Sequence, residues 1–278
     1  MNDRLNEFVA RHRRLFVLTG AGISTASGIP DYRDSSGAWK HQKPMDYRDF
    51  VASYAARQRY WSRSYFGWQR FSQASPNAAH NALAGLEQLG RLVGTVTQNV
   101  DGLHQRAGSQ QVTELHGSLA TVTCLECGNS MARDSMQQAL LKRNPQLFAA
   151  AGEMAPDGDA RLQSFDESEL DIPSCLSCGG VVKPAVVFFG EGVPPERVQH
   201  CRDLLASCDG VLVVGSSLMV YSGFRFIREA AEQGIPIAAI NRGKTRADEL
   251  LTHKFELDCT TALATALQHI APLRANSV

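Results

Sequence analysis

Short apolar runs alternate with amphipathic stretches along most of this chain. Five runs are rich in Val, Ile and Phe and end at Gly, Asn or Ser, as buried strands of a parallel sheet do. They cover residues 15–19, 93–97, 186–189, 211–214 and 237–240. Residues 79–89 and 224–233 have the apolar spacing of amphipathic helices. Alternating strands and helices predict an α/β fold with a Rossmann-like, doubly wound parallel sheet.

Two segments interrupt this alternation. Residues 44–73 are dense in aromatic residues and arginine, which predicts a helical insertion. Residues 119–181 contain two Cys-x-x-Cys pairs, and residues 155–160 between them have turn composition. A helix followed by a long ordered loop is favoured there over a pair of strands. The predicted domains are therefore residues 1–43, 74–118 and 182–278 for the Rossmann-like part, 44–73 for the insertion, and 119–181 for a metal-binding module.

Composition and charge narrow the possible partners. The 278 residues include 28 Lys and Arg and 28 Asp and Glu, so the formal net charge is zero. No bulk positive potential is available for non-specific binding of nucleic acid or anionic membranes. Every apolar run is shorter than the roughly 20 residues of a membrane span. The polar first 14 residues, with Asp3 and Glu7, resemble neither a secretory signal nor a transit peptide. We therefore expect a soluble, cytoplasmic protein.

Four of the seven cysteines form two pairs with metal-ligand spacing. Two such turns present the tetrahedral set of sulfur ligands that zinc prefers. A redox site needs only one reactive pair, and each pair here is followed by a turn glycine. All four ligands come from the protein, which predicts one structural zinc per chain rather than a catalytic zinc. The predicted ligands are Cys124, Cys127, Cys175 and Cys178.

The first predicted strand runs directly into Gly20-Ala-Gly22-Ile-Ser24, and Gly28 follows. Glycines at this point let backbone amides approach a pyrophosphate, and a helix that follows would present its N-terminal N–H groups to the anion. The spacing differs from the usual Gly-x-Gly-x-x-Gly, and a tight turn without a ligand is the alternative. No acidic ribose partner follows the second strand, so Asn241, directly after residues 237–240, is the candidate for that contact.

A second polar cluster follows residues 93–97. The segment Thr97-Gln-Asn-Val-Asp-Gly-Leu-His104 lies at the carboxyl end of a buried strand, where ligands bind in open α/β sheets. Asn99 and Asp101 are costly to bury there without a function, although an ordinary strand-to-helix turn is the alternative. His116, in Glu114-Leu-His-Gly-Ser118, is a candidate base, but a single histidine alone is weak evidence.

Together these residues resemble the sirtuin family of NAD-dependent protein deacylases. The similarity extends in order over residues 15 to about 260. It rests on the glycine loop, the 97–104 segment, His116-Gly117, the four cysteines, and the segments Gly28-Ile-Pro-Asp-Tyr-Arg33, Phe188-Phe-Gly-Glu191, Gly215-Ser-Ser-Leu218 and Asn241-Arg-Gly243. Tyr32 and the stretches 57–61 and 155–159 are similar to the class II branch. That branch includes a mitochondrial sirtuin described as a deacylase, lipoamidase and ADP-ribosyltransferase.

The resemblance implies catalytic roles for His116, Asn99 and Asp101. His116 would be a general base, neutral at working pH, that accepts a proton relayed from a ribose hydroxyl; a base with a pKa near ambient pH suits this step. It also implies an NAD site. The implied NAD-binding residues are Gly20, Ala21, Gly22, Asp31, Tyr32, Arg33, Gln98, Asn99, Asp101, Gly215, Ser216, Ser217, Asn241, Arg242, Gly243 and Cys259.

For the substrate, the resemblance implies that Val187 and Phe189 form the walls of an acyl-lysine channel. The target peptide would add as a strand between Gly190-Glu191 and the loop 218–221, which includes Val220. The stretch Met219-Val220-Tyr221-Ser222 lacks the proline that is common in this loop.

A further pair bears on acyl preference. Tyr60 and Arg63 lie three residues apart on a predicted helix and share a face. Sirtuins that remove succinyl groups carry a similar Tyr-x-x-Arg pair, so these residues are expected to bind an acidic acyl group. An ordinary solvated or packed helix face is the alternative.

The function implied is an NAD-dependent, deacetylase-type protein-lysine deacylase, a sirtuin-type transferase that releases nicotinamide and O-acyl-ADP-ribose. Its partners would be acylated-lysine proteins, with no membrane and no specific nucleic acid. The first alternative is a protein mono-ADP-ribosyltransferase, which shares the cofactor. A non-enzymatic NAD or ADP-ribose sensor ranks last because His116 and Asn99 are both present. The sequence does not indicate the oligomeric state.

Overall fold

A computed structural model describes residues 2–40, 44–149, 152–154, 160–162 and 166–271. Its largest sheet has six parallel strands in the order β11-β10-β9-β1-β2-β3. Four of them confirm predicted strands: β1 (Leu15–Thr19), β2 (Leu92–Thr97), β9 (Gly210–Val214) and β10 (Ile237–Ile240). The edge strands, β3 (Val112–Glu114) and β11 (His253–Phe255), were not predicted because three residues are too few to form a pattern.

Helices cover both faces of this sheet, and the single turn α5 (Leu103–Arg106) follows β2. Leu15 and Val17 of β1 pack in one apolar cluster with the helices α1 (Asn2–Arg11), α4 (Ala78–Gln88) and α9 (Cys259–Ile270). Phe16 and Leu18 point the opposite way, into a cluster with α7 (Pro195–Ala206) and α8 (Tyr221–Glu232). Successive side chains of a strand alternate between faces, so a strand buried on both sides is apolar at every position. The doubly wound α/β prediction is confirmed.

A smaller domain combines the helical insertion with the cysteine-bearing segment. The insertion forms α2 (Tyr47–Ala52) and α3 (Tyr54–Phe71), which begin at the capping side chains of Asp46 and Ser53. The cysteine segment contributes α6 (Arg133–Arg143) and an antiparallel sheet of β5 (Ser130–Ala132), β4 (Gly117–Cys124) and β8 (Val182–Val186). Trp61 of α3 and Met136 of α6 are fully buried in one shared core.

The prediction that residues 186–189 form a strand of the main sheet is wrong. The strand in this region is β8, which pairs antiparallel with β4 in the small sheet. Val186 and Phe188 are buried, but in the core of the smaller domain. A short apolar run indicates burial without indicating which of two cores receives it.

The favoured loop in the cysteine segment is only partly correct. Helix α6 is present, as predicted, but β6 (Gly152–Met154) and β7 (Ala160–Leu162) form an antiparallel pair, so the preference against a strand pair was wrong. Strands of three residues are too short for a visible alternation. Residues 155–159, predicted to form a turn, lie outside the described residues. Among the helices described, none is long and apolar enough to cross a membrane.

Candidate active site

A cavity of about 400 Å³ lies between the carboxyl ends of the parallel strands and the smaller domain. It brings together most of the residues that the sequence singled out. Those that line it are Ala21, Gly22, Asp31, Tyr32, Arg33, Tyr60, Gln98, Asn99, His116, Val187, Phe189, Gly190, Glu191, Gly215, Ser216, Ser217, Val220, Asn241 and Arg242. Of the residues predicted for catalysis, NAD or substrate, five do not line it: Gly20, Arg63, Asp101, Gly243 and Cys259.

The glycine loop after β1 packs tightly against the loop after β9. The N–H of Gly22 donates to the carbonyl of Gly215 at 2.8 Å, and a Cβ on Gly22 would lie 2.8 Å from the same oxygen. Gly215 has a φ of 60°, which favours glycine. Two single 3₁₀ turns, Ala21–Ile23 and Thr25–Ser27, follow in place of the expected helix N-terminus. The second turn ends at Gly28 in the left-handed region, so the chain leaves the helical path there.

Polar side chains connect the loops that end β1, β2 and β9. Ser216 donates its hydroxyl to Oε1 of Gln98 at 2.7 Å. The amide of Asn99 donates to the carbonyl of Gly20 and to the hydroxyl of Ser24, both at 3.1 Å. These bonds hold Gln98 and Asn99 at the cavity wall.

Asp101 lies behind this wall. It accepts hydrogen bonds from the Ser24 hydroxyl at 2.7 Å and from the Leu103 N–H at 3.0 Å. Burial raises the pKa of the Asp101 carboxyl, although both hydrogen bonds oppose that shift. The Ser24 hydroxyl bridges Asp101 and Asn99, so Asp101 can position Asn99 without lining the cavity itself. Sequence analysis had not singled out Ser24 for this bridging position.

His116 lies between β3 and β4, and both of its ring nitrogens have partners. Nδ1 is 2.9 Å from the carbonyl of Gln98, and Nε2 is 2.7 Å from the hydroxyl of Ser222. A carbonyl can only accept, so Nδ1 carries the proton and Nε2 of the neutral ring accepts from Ser222. Desolvation lowers the pKa of His116 to about 4, and the charges of Arg197 and Arg225 act in the same direction. The ring is therefore neutral near pH 7 and can accept a proton at Nε2.

The smaller domain contributes the apolar wall of the cavity. Tyr60 is nearly buried, and its ring packs 5.2 Å from that of Phe188. Glu191 accepts from Nζ of buried Lys183 at 3.0 Å and from the N–H of Phe188 at 2.8 Å. The Lys183–Glu191 pair thus fixes the turn that carries Phe189. Burial lowers the pKa of Lys183, and Glu191 opposes that shift.

The expectation that Arg63 reaches the acyl site is wrong in this structure. Its Nε lies 2.7 Å from Oε1 of Glu167, at a separate surface depression. Tyr60 and Arg63 diverge because one faces the cavity while the other reaches the 3₁₀ turn Glu167–Glu169, a partner that helical spacing cannot reveal. A guanidinium already paired with a carboxylate is not available to an acidic acyl group at the cavity.

The loop of residues 31–40 covers one side of the cavity and packs upon itself. The guanidinium of Arg33 lies 4.0 Å from the Trp39 ring centroid and donates to the carbonyl of Gly37 at 2.7 Å. Trp39 in turn packs edge-on against Phe189 at 5.7 Å. Asp31 is paired with Lys40. These contacts give the loop a defined position against the apolar wall.

The four paired cysteines form a separate cluster in the smaller domain. Their ligand atoms all lie within 4.8 Å of one another, with Cys124 3.5 Å from Cys178 and Cys127 3.7 Å from Cys175. Gly128 and Gly179, one after each pair, have φ values of 73° and 76°, as the two turns require. Four converging thiols, all supplied by the protein, fit a structural zinc.

Several residues that line the cavity were not predicted as site residues, and three of them are informative. Ser222 contacts His116, Arg225 lies one helical turn further on, and Leu218 has a φ of 58°, a value that is rare for a residue with a side chain. In the sequence, only the absence of proline from residues 219–222 gave a signal in this region. The strained Leu218 backbone and the Arg225 side chain are visible only in three dimensions.

Comparison with known proteins agrees with this arrangement. The model of the Sir2 family matches residues 20–222. A protein of Bradyrhizobium diazoefficiens named NAD-dependent protein deacetylase 2 is 55% identical over 263 residues, covering 95% of this chain and 96% of that protein. The NAD-dependent protein deacetylase 1 of Streptomyces coelicolor is 48% identical, covering 92% of this chain and 86% of its own.

Solved structures show the same fold. One described as "Sir2-p53 peptide-NAD+" has a TM-score of 0.79 and 28% identity, covering 98% of this chain and 99% of its own. Another, described as "Structural Basis for the Mechanism and Regulation of Sir2 Enzymes", has a TM-score of 0.77 and 31% identity, covering 99% of this chain and all of its own.

Proposed function

The chain belongs to the Sir2 family, and from that premise we propose that it is an NAD-dependent protein-lysine deacylase of the deacetylase type. It would transfer the acyl group of a modified lysine and release nicotinamide and O-acyl-ADP-ribose. The relatives named as NAD-dependent protein deacetylases support this reaction.

One observation carries the proposal: a neutral imidazole with an accepting Nε2 lies in a cavity that also holds the glycine loop. His116 has its proton on Nδ1 because the carbonyl of Gln98 accepts from that atom. The loops of Gly22 and Gly215 line the same cavity. A protein that only binds a nucleotide needs the glycine loop but no base. The presence of both in one cavity therefore favours an enzyme in which the base accepts a proton from the bound nucleotide.

Each part of NAD would be bound by a different group of cavity residues. Backbone groups at Ala21, Gly22 and residues 215–217 would bind the phosphates of NAD, and the side chain of Asn241 its adenine ribose. Gln98 and Asn99 would bind the nicotinamide ribose. His116 would hold the abstracted proton at Nε2. NAD, when bound, supplies the sugar carbon that receives the acyl group.

The remaining predicted NAD contacts lie further out. Arg33 and Tyr32 would cover the cofactor, while Gly20, Gly243 and Cys259 would act from behind the cavity wall. Burial raises the pKa of the Cys259 thiol to about 12, so this side chain would serve as a neutral, apolar neighbour of the adenine.

The target peptide would enter between Gly190 and the loop 218–221. Val187 and Phe189, with Tyr60, would enclose the hydrocarbon part of the acyl-lysine, since all three line the cavity. The carbonyl of Phe189 already accepts from the N–H of Tyr47, so the peptide would pair with the backbone beyond it.

Membership of the class II branch is a further proposal that rests on sequence features. Tyr32 and the stretch 57–61 support it, and both belong to parts of the structure near the cavity or its wall. A panel of acetyl-, lipoyl- and longer acyl-lysine peptides would test it, because a branch member should remove more than acetyl groups. The cytoplasmic location expected from the sequence stays a prediction.

The central experiment measures nicotinamide release from NAD with an acetyl-lysine peptide and follows the peptide by mass spectrometry. Loss of the acyl mass is expected, and His116→Ala should lower turnover by on the order of 10²–10⁴. His200→Ala, which alters an exposed histidine, is the matched control. Gain of an ADP-ribose mass on the target would favour the transferase alternative, and no nicotinamide release with any acyl peptide would contradict the proposal.

A further inference from the structure

Three arginine side chains surround the exposed ring of Tyr221 at the edge of the cavity. The guanidinium carbons of Arg225, Arg228 and Arg246 lie 5.3, 5.6 and 5.8 Å from the centroid of this ring. Arg246 also lies 4.5 Å from the ring of Phe224. Tyr221 is 43% exposed, so the group faces solvent. We call Tyr221 and these three arginines the arginine cluster.

The positive charge of the cluster is only partly compensated. Arg228 pairs with Glu232 at 3.4 Å. Within the described ranges, neither Arg225 nor Arg246 has a carboxylate within 4.0 Å, and Nε of Arg225 is buried without a hydrogen-bond partner. Glu229, next to Arg228, already binds Arg202 at 2.8 Å, and Asp248, two residues after Arg246, is paired with Lys254 at 3.0 Å. Because the whole chain has zero net charge, this excess is a local feature.

Guanidinium groups held around one ring repel each other, and an anion between them removes that repulsion. The ring itself holds each cation weakly, by about 0.5–1 kcal/mol at an exposed site. An acidic group from a partner outside the chain would supply such an anion.

The cluster is continuous with the loop 218–221. Nη1 of Arg246 lies 3.4 Å from the carbonyl of Met219, and its backbone N–H donates to the carbonyl of Ser217 at 2.9 Å. Tyr221 and Arg225 also line the cavity. A peptide that pairs with this loop would pass its neighbouring side chains directly over the arginines.

We propose that the arginine cluster binds acidic side chains that flank the acyl-lysine of the target protein. This inference rests on the proposed function, because it takes the loop 218–221 as the edge that the peptide pairs with. Each solvent-exposed ion pair contributes little, so the preference is graded, at about two- to fivefold in kcat/KM for each acidic residue. The effect is electrostatic, so it lies mainly in KM and weakens as salt rises.

The experiment compares acetyl-lysine peptides that carry Glu or its neutral isostere Gln at positions on either side of the lysine. The protein should favour Glu at some of these positions, and the Glu-to-Gln ratio of kcat/KM should fall toward 1 between about 0.05 and 0.5 M NaCl. Scanning one position at a time identifies which side of the lysine faces the cluster.

Variants locate the effect on the protein. Arg246→Gln and Arg225→Gln should each lower the Glu-to-Gln ratio about two- to fivefold. Arg246→Glu should reverse the preference, so that peptides flanked by lysine become the better substrates. Arg13→Gln is the matched control, since Arg13 is exposed at the opposite end of β1 and should leave the ratio unchanged.

The outcomes separate this inference from the function on which it rests. If no peptide is deacylated, the proposed function fails. If peptides are deacylated with equal efficiency whether Glu or Gln flanks the lysine, the function stands and the inference is overturned. A preference for Glu that survives both Arg225→Gln and Arg246→Gln would also overturn it, because the recognition surface would lie elsewhere. Thermal unfolding of each variant confirms that the protein tested is folded.

Discussion

The hydroxyl of Ser222 lies 2.7 Å from Nε2 of His116, and it occupies the lone pair of the proposed base. Nδ1 is fixed by the carbonyl of Gln98, so the ring is held from both sides before any substrate is present. Ser222 lies in the first turn of α8 and His116 directly precedes β4, more than a hundred residues apart in the chain. The proton-accepting atom is thus oriented by a residue of another element.

We expect Ser222→Ala to lower kcat/KM by about 2- to 10-fold, the effect of one lost hydrogen bond. Ser222→Thr, which keeps the hydroxyl, should restore most of the loss. In a His116→Ala background, Ser222→Ala should have no further effect, because its action passes through the imidazole. Nitrogen-15 NMR of the cofactor-free Ser222→Ala protein should show that Nε2 of His116 has lost its hydrogen bond. An equal loss of kcat/KM on Ser222→Ala with and without His116 would contradict the positioning role of Ser222.

The pH dependence of activity follows from the lowered pKa of His116. Desolvation lowers that pKa to about 4, and only the neutral ring can accept a proton. The acid limb of kcat/KM should therefore lie near pH 4, with full activity retained at pH 6, where an ordinary histidine with a pKa of about 6.5 would be largely protonated. A pH profile with a stable acetyl peptide measures this. An acid limb centred at pH 6–7 would show that His116 titrates normally or is not the base.

Arg63→Met should leave the ratio of kcat/KM for glutaryl and acetyl peptides unchanged, since Arg63 binds Glu167 away from the cavity. The cost in stability should be at most about 1 kcal/mol, because both side chains are partly exposed and solvent screens the pair. Glu167→Gln, which removes only the partner, is the matched control. A preference for glutaryl peptides that disappears with Arg63→Met would instead show that Arg63 binds the acidic acyl group.

Replacement of one zinc ligand should remove the metal and loosen the smaller domain together. Cys175→Ala is expected to lower zinc content from one per chain toward zero and to lower Tm by about 2–4 °C for each kcal/mol lost. Cys201→Ala, at an equally buried cysteine outside the cluster, should keep its zinc. Elemental analysis and thermal unfolding on the same samples provide both measurements. A fully zinc-loaded Cys175→Ala protein would contradict the four-thiolate site.

Stability should fall in mild acid because His80 and His104 are buried. Their rings lie 4.9 Å apart, and desolvation lowers their pKa values to about 4 and about 3. Below pH 6.5 these histidines are protonated in the unfolded protein but stay neutral in the native protein. Their contribution to the free energy of unfolding is therefore fully present above that pH and is lost as the pH falls toward 4. Between pH 8 and pH 5 we expect a loss of about 2 kcal/mol for each histidine.

Urea unfolding at a series of pH values measures this loss. His80→Asn should remove about half of the pH dependence attributed to the pair, whatever it does to stability at pH 8. Replacement of exposed His200 should leave the slope unchanged. An equally steep slope in His80→Asn would show that other groups cause the loss.

The sequence by itself determined the features that depend on local pattern. Apolar runs located the four central strands, because a strand buried on both faces is apolar at every position. The spacing of Cys124, Cys127, Cys175 and Cys178 predicted a cluster that the structure assembles. Ordered motifs pointed to the family to which the chain belongs.

Tertiary structure decided whatever depends on which distant segment becomes the neighbour. Residues 186–189 were correctly recognised as buried, but only the fold placed them in the smaller domain's core. Helical spacing places Arg63 near Tyr60, which lines the cavity. Its guanidinium nevertheless binds Glu167, more than a hundred residues away in the chain. Ser222 and His116 meet for the same reason. Side-chain period is a local property of the backbone, whereas a hydrogen bond or ion pair needs two groups that only the folded chain brings within about 3 Å.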